Sequence, residues 1–227
     1  MYRDHRWGTV PIVRVDVLTM ERPLWRGWFH AVAFLAAIPA GVLLIVAADR
    51  ASGRTSAAIY AATLLLVFGT SAAYHRLAQS PRARQIMRRL DHSMIYLLIA
   101  GSYVPICIVG LPGRWGIPLL AVVGGLALVG VTIKLAALRR VQWVGDALYP
   151  VMGWAAIAVT PALRDHLTPL QLGLVFAGGV AYTVGFPVLM LRRPDPWPRV
   201  FGYHEIWHGF TIVAAVLHFG AVATLVA

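Results

Sequence analysis

A single cysteine, Cys107, stands in the 227 residues, which excludes an intramolecular disulfide framework and any multi-cysteine metal cluster. Charge is scarce as well: Asp, Glu, Lys and Arg together make up 13% of the chain, while 59% is hydrophobic. With a mean hydropathy of +0.71, such a chain cannot present a solvated surface all round. No internal repeat or low-complexity tract is present, and almost nothing is left over for a domain outside a membrane. A metal held by this chain must use histidine and carboxylate.

What the chain does have is apolar length. A bilayer core takes roughly 20 mostly apolar residues per helix. Seven such stretches can be marked: Trp28 to Ala48, Ser56 to Tyr74, Ser93 to Leu111, Trp115 to Leu138, Val144 to Leu163, Leu170 to Leu191 and Ile206 to Ala227. The expected fold is therefore an all-α integral membrane protein, a bundle of seven transmembrane helices over residues 28–227, preceded by a basic arm over residues 1–27. That arm contains no apolar core followed by a small-residue cleavage site, so the first helix is expected to stay as an anchor.

The net charge of +11 would point to nucleic acid in a soluble protein; here it reads first as topology, and no nucleic-acid partner is expected. Sixteen of the twenty basic residues fall in the arm and in the second, fourth and sixth connections, and four on the other side. The N-terminus is thus expected inside and the C-terminus outside. Arg82, Arg84, Arg88 and Arg89 crowd the second connection, Arg76 to Leu90, where they set orientation or meet anionic head groups. Turn residues such as Ser52-Gly53 and Pro112-Gly113 keep connections short, which favours antiparallel packing of sequential helices. Gly124, Gly125, Gly130, Gly173, Gly178 and Gly179 offer sites for close helix approach. Trp25, Trp28, Trp115 and Trp143 suit interfacial anchoring.

Against this background a few polar residues stand out. Helix two ends at His75, helix three begins at Asp91, and helix seven begins with His204 and His208. The charge-derived topology brings all four to the cytoplasmic membrane edge. His204 and His208, four positions apart, share one helix face about 6 Å apart along the axis, so both imidazoles can reach one ion. His75 supplies a third nitrogen, and three protein ligands with an open fourth position is the pattern of catalytic zinc. The alternative is three interfacial histidines with their polar ends in water. Asp91 fits a fourth ligand, a carboxylate that orients a ligand, a base for water, or the N-cap of helix three. Ser71, one turn before His75, can orient water or bond back to its own helix.

The remaining candidates weaken on geometry. His218 lies about 15 Å deeper than His208 and suits a packed, hydrogen-bonded core position. His92, rotated about 100° from Asp91, should face elsewhere. His30 and Asp146 suit helix-end roles, with partnership to the site as the alternative.

Taken together, Ser71-Ala-Ala-Tyr-His75, the block from Asp91 to Pro105, and His204-Glu-Ile-Trp-His208 with Val-Leu-His218-Phe219 resemble the bacterial haemolysin-III-like family, which is related to the adiponectin and progestin receptors. The resemblance runs from about Leu24 to the C-terminus and includes Arg26-Gly-Trp-Phe-His30. It implies a seven-helix zinc protein of the bacterial cytoplasmic membrane with an inside N-terminus. It also implies that His75, His204 and His208 bind the metal, that Asp91 contacts water there and that Ser71 lies close by. A relation to membrane hydrolases of the alkaline ceramidase type follows too; the long extension of the hormone-receptor relatives is lacking, so hormone binding is not expected.

Two function classes follow. One is a zinc-dependent hydrolase of a lipid amide or ester, in which Asp91 takes a proton from water and a cavity open to the bilayer admits an acyl chain. The other is non-enzymatic: a pore or cytolytic factor, or a protein of membrane homeostasis in which zinc is structural. A conducting path needs polar groups spaced through the membrane, whereas here they concentrate at one face, apart chiefly from Thr132, Thr160, Thr183, Thr211 and His218. Haem ligation would leave Asp91 unexplained.

Overall fold

The computed structural model describes residues 22–227; Arg3, Arg6 and Arg14 of the basic arm lie outside them. The described residues form α1 (Trp28–Ala47), α2 (Ala51–Arg76), α3 (Pro81–Pro105), α4 (Gly113–Leu135), α5 (Gln142–Gly153), α6 (Thr160–His166), α7 (Pro169–Leu191) and α8 (Tyr203–Val226). α3 closes with a π-helical turn, Ile106–Gly110, and a 3-10 stretch, Ala155–Val159, separates α5 from α6. Among the described residues six helices are long and apolar enough to cross a membrane: α1, α2, α3 with its π turn, α4, α7 and α8. Large apolar side chains point outward from them, including Val32, Leu43, Val46, Leu128, Phe176 and Val216. This is an all-helical, multi-pass membrane protein.

Sequential helices pack side by side as the short connections predict. Buried side chains gather in two clusters, one with Leu44, Tyr60, Leu64, Phe68 and Val222 from α1, α2 and α8. The other joins Tyr96 and Tyr103 of α3 to Val123 of α4, Met152 of α5 and Leu163 of α6. α1 and α8 run parallel: Arg26 meets Glu205 at one end, and the Asp49 N–H donates to the Val226 carbonyl at the other, 3.2 Å away.

Two expectations are corrected. α3 starts ten residues before Asp91, at Pro81, where the Ser80 hydroxyl accepts from the Ala83 N–H at 3.1 Å. Ser80 with Pro at the first helical position is a strong start signal, so Asp91 is no N-cap but an interior residue of α3. The second connection shrinks to residues 77–80. The second correction concerns the fifth apolar stretch, Val144 to Leu163, which is not one helix. It stops at Gly153 and restarts with Pro161 in the first turn of α6. Tyr103 meets the backbone groups freed by the break, donating to the Met152 carbonyl (2.9 Å) and accepting from the Ala156 N–H (3.0 Å). Residues 142–167 nevertheless follow α3 in its own direction. Tyr149 donates to the His92 carbonyl, Tyr103 contacts residues 152–156, and Leu167 lies beside Gly110.

Of the glycines expected to admit close neighbours, Gly130 and Gly178 do so, against Tyr96 and His218, while Gly124, Gly125 and Gly173 face open space. Gly116, not singled out by sequence, is tightest: an added Cβ would lie 2.0 Å from the Cys107 carbonyl oxygen in the π turn of α3. Because the obstacle is backbone, Gly116→Ala should cost about 1–3 kcal/mol, measured as a fall in thermal midpoint in detergent. Gly124→Ala should leave the midpoint unchanged or raise it.

Candidate metal centre

The final turn of α2 and the first two turns of α8 carry the three imidazoles. His75 and His208 are buried and His204 half-buried, and one ligand atom of each lies within 4.8 Å of the others. His75 Nε2 and His204 Nε2 are 3.1 Å apart. Four ligands around zinc, with nitrogen arms of about 2.05 Å at tetrahedral angles, stand roughly 3.3 Å from one another. The His75–His204 pair is therefore spaced as two ligands of one cation are, with a His208 ligand atom within 4.8 Å of both, and the donor set, three neutral-capable imidazoles without a cysteine, suits zinc.

Around these rings the packing is tight. His30, in the first turn of α1, lies flat on His208 with centroids 3.7 Å apart and planes 9° apart. Thr211 donates its hydroxyl hydrogen to the His208 carbonyl (2.8 Å), so its oxygen accepts from His30 Nε2–H at 3.0 Å. That fixes the His30 tautomer, leaving its Nδ1 bare. The Nδ1 atoms of His30 and His208 are buried with no hydrogen-bond partner among the described residues. The helix-end role expected for His30 is thus corrected: its ring turns inward against the cluster.

Ser71 sits one turn before His75 on the same face of α2, and its hydroxyl contacts the buried Asp91 carboxyl of α3. Asp91 does not join the three imidazoles at ligand distance; it adjoins them through Ser71. His92 does not join the three imidazoles but lines a cleft with residues of α4 and α5. Asp146 pairs with Lys134 of α4 at 2.7 Å. His218 is a packed core histidine whose Nε2–H donates to the Val175 carbonyl at 3.1 Å.

Sequence reasoning missed the strap that crosses the cluster. Arg22 donates to the carbonyls of His75 and Ala78, covering the C-terminal end of α2. Backbone N–H groups of Leu24 and Trp25 donate to the carbonyls of Arg199 and Val200, both at 3.1 Å. Arg26 Nε donates to Glu205 Oε1 at 2.5 Å, and Glu205 Oε2 accepts from the Gly202 N–H, capping α8. Gly27 closes the strap at φ +82°, where an added Cβ would stand 2.6 Å from His75 Cβ. One signal was available: an acidic residue three positions after Gly202 is half of a capping box. The Glu205 side chain is only 1% exposed and that of Arg26 17%. Glu205→Ala should therefore destabilise the protein by about 3 kcal/mol, since it strands a largely buried guanidinium. Glu205→Gln, which keeps the cap, should cost less; thermal unfolding in detergent separates the two.

Fold and site together define a class: a multi-pass helical membrane protein with three clustered imidazoles where two of its helices meet. Comparison with known proteins gives the family. The family described as Haemolysin-III related matches residues 18–219. The chain is 32% identical over 193 residues to Hemolysin-3 of Bacillus cereus, covering 84% of this chain and 85% of that protein. It is 32% identical over 199 residues to the Hemolysin-3 homolog of Bacillus subtilis (strain 168), covering 86% and 90%. A more distant similarity, 26% over 182 residues, links it to the adiponectin receptor protein of Drosophila melanogaster, covering 71% and 40%. The chain belongs to the haemolysin-III related family.

Proposed function

We propose that this protein is a zinc-dependent hydrolase of lipid amide or ester bonds, held in the bacterial cytoplasmic membrane by seven crossings with its N-terminus inside. The fifth crossing in this reading is the broken segment that follows α3 over residues 142–167. The cytoplasmic placement of the cluster rests on the excess of Lys and Arg at that edge. The observation that carries the metal reading is the meeting of His75 with His204 and His208, ligand atoms within 4.8 Å, from helices far apart in sequence.

In this reading His75, His204 and His208 hold zinc, which when bound lowers the pKa of water to about 7. The Asp91 carboxylate accepts a proton from the attacking water. Ser71 steadies that carboxyl, and the strap over residues 22–27 limits access from the aqueous side. Water oxygen bonds to the acyl carbon as its bond to nitrogen or oxygen breaks. Asp91 returns the proton to the departing amine or alcohol, and a fatty acid and that amine or alcohol leave. In this reading an acyl chain approaches the site from the bilayer along the apolar outer helix faces.

The name of the Bacillus cereus relative, Hemolysin-3, favours a second reading in which the protein permeabilises membranes and the metal ties α2 to α8. One preparation tests both. Purified protein is assayed for bound zinc, for release of fatty acid from a ceramide-type amide and a phospholipid ester, and for dye leakage from liposomes. Zinc with fatty-acid release supports the first reading; zinc with leakage and no release supports the second; protein without zinc refutes both.

A further inference from the structure

A polar cleft of about 310 Å³ opens where α3, α4 and α5 meet. It is lined by Arg88, Arg89 and His92 of α3, Lys134 of α4, and Gln142 and Asp146 of α5. Three permanent cations thus face one carboxylate. We propose that this cleft binds the phosphate of an anionic lipid head group.

The site is built rather than incidental. Lys134 is only 5% exposed, and its ammonium donates to Asp146 Oδ1 (2.7 Å) and Gln142 Oε1 (3.2 Å). Gln142 is itself anchored, donating to the Ile133 carbonyl at 3.3 Å. An ammonium has three donors, so one N–H of Lys134 is left for a ligand. Arg89 spends one nitrogen on the Leu135 carbonyl at 3.4 Å, and Arg88 is exposed with no acceptor among the described residues. Two guanidiniums with donors to spare beside a fixed ammonium suit a tetrahedral oxyanion, which arginine binds in bidentate fashion.

The surroundings select a lipid over a free anion. Leu135, Leu138 and Trp143, neighbours in sequence of the lining residues, are 43%, 44% and 72% exposed. Exposed apolar side chains adjacent in sequence to the residues of a cationic cleft suit a head group and the start of its acyl chains together. A basic pocket between membrane helices is a known solution for anionic lipid. The cleft shares no residue with the three-histidine cluster, so it stands whether or not that cluster holds zinc.

Native mass spectrometry of the purified full chain, titrated with phosphatidylglycerol or phosphatidylcholine, tests this. Wild type should retain phosphatidylglycerol about tenfold better than phosphatidylcholine, and Arg88→Gln with Arg89→Gln should erase that preference. Arg82→Gln with Arg114→Gln removes the same charge elsewhere and should preserve it. Asp146→Asn should tighten phosphatidylglycerol binding up to about fivefold, because the competing carboxylate is gone; a misfolded variant would only lose lipid. Equal retention of both lipids by wild type overturns the proposal, as does a preference that survives Arg88→Gln with Arg89→Gln. Equal loss in the control variant, or displacement of lipid by inorganic phosphate at equal concentration, overturns it too, the last by assigning the cleft to free phosphate.

Discussion

His75→Ala, His204→Ala and His208→Ala are each expected to remove stoichiometric zinc from the purified protein. The cluster offers three ligands and no cysteine to substitute for a missing one, so each variant leaves two nitrogens to hold the ion against water. Structural zinc in folded peptides is worth about 10–16 kcal/mol in apparent binding energy, divided among few ligands, so losing one of three costs several orders of magnitude in affinity. His30→Ala provides the contrast. Its ring rests on His208 and is tied to Thr211, so its loss loosens a ligand without deleting one, and affinity should fall only about 10–100-fold. Metal quantitation, followed by competition with a graded chelator, ranks the four variants. Undiminished zinc in a triple His75→Ala, His204→Ala, His208→Ala protein would remove the site altogether.

Asp91→Asn should keep the zinc and lose hydrolysis. The amide oxygen of asparagine still accepts from the Ser71 hydroxyl, so the packing between α2 and α3 is preserved, but the amide has no basic oxygen with which to accept a proton. A positioned general base contributes about 10²–10⁴-fold, and fatty-acid release should drop by that amount with metal content unchanged. Loss of zinc from Asp91→Asn would instead make Asp91 part of the metal's support. Unchanged release would dismiss it as a base.

Much of this arrangement was legible from sequence, for physical reasons. A bilayer forces apolar length on a helix, and counting basic residues on alternate connections led to the expectation that His75, Asp91, His204 and His208 share one edge; the structure brings the three histidines together and sets Asp91 against Ser71. What hydropathy hides is where a helix continues into water. The arginines from Arg82 to Arg89 read as a connection, although Ser80-Pro81 already marked the helix start. Hydropathy also cannot see a break inside a greasy run, because residues around Gly153 and Trp154 are as apolar in a 3-10 stretch as in a helix. Nor could glycine density say which glycine mattered: Gly124 and Gly125 face open space while Gly116 presses on a carbonyl. Arg22 and Arg26 were obscured because their charge was counted toward orientation, and Glu205 because its partner lies 179 residues away.

The fastening of α1 to α8 at both ends bears on how the protein meets bilayers of different thickness. Two parallel rods joined at top and bottom resist shear, so a mismatch in hydrocarbon depth is taken up by tilting the pair as one body. His30 and His208 then keep their registry, and the stacking of one ring on the other stays insulated from changes in lipid composition.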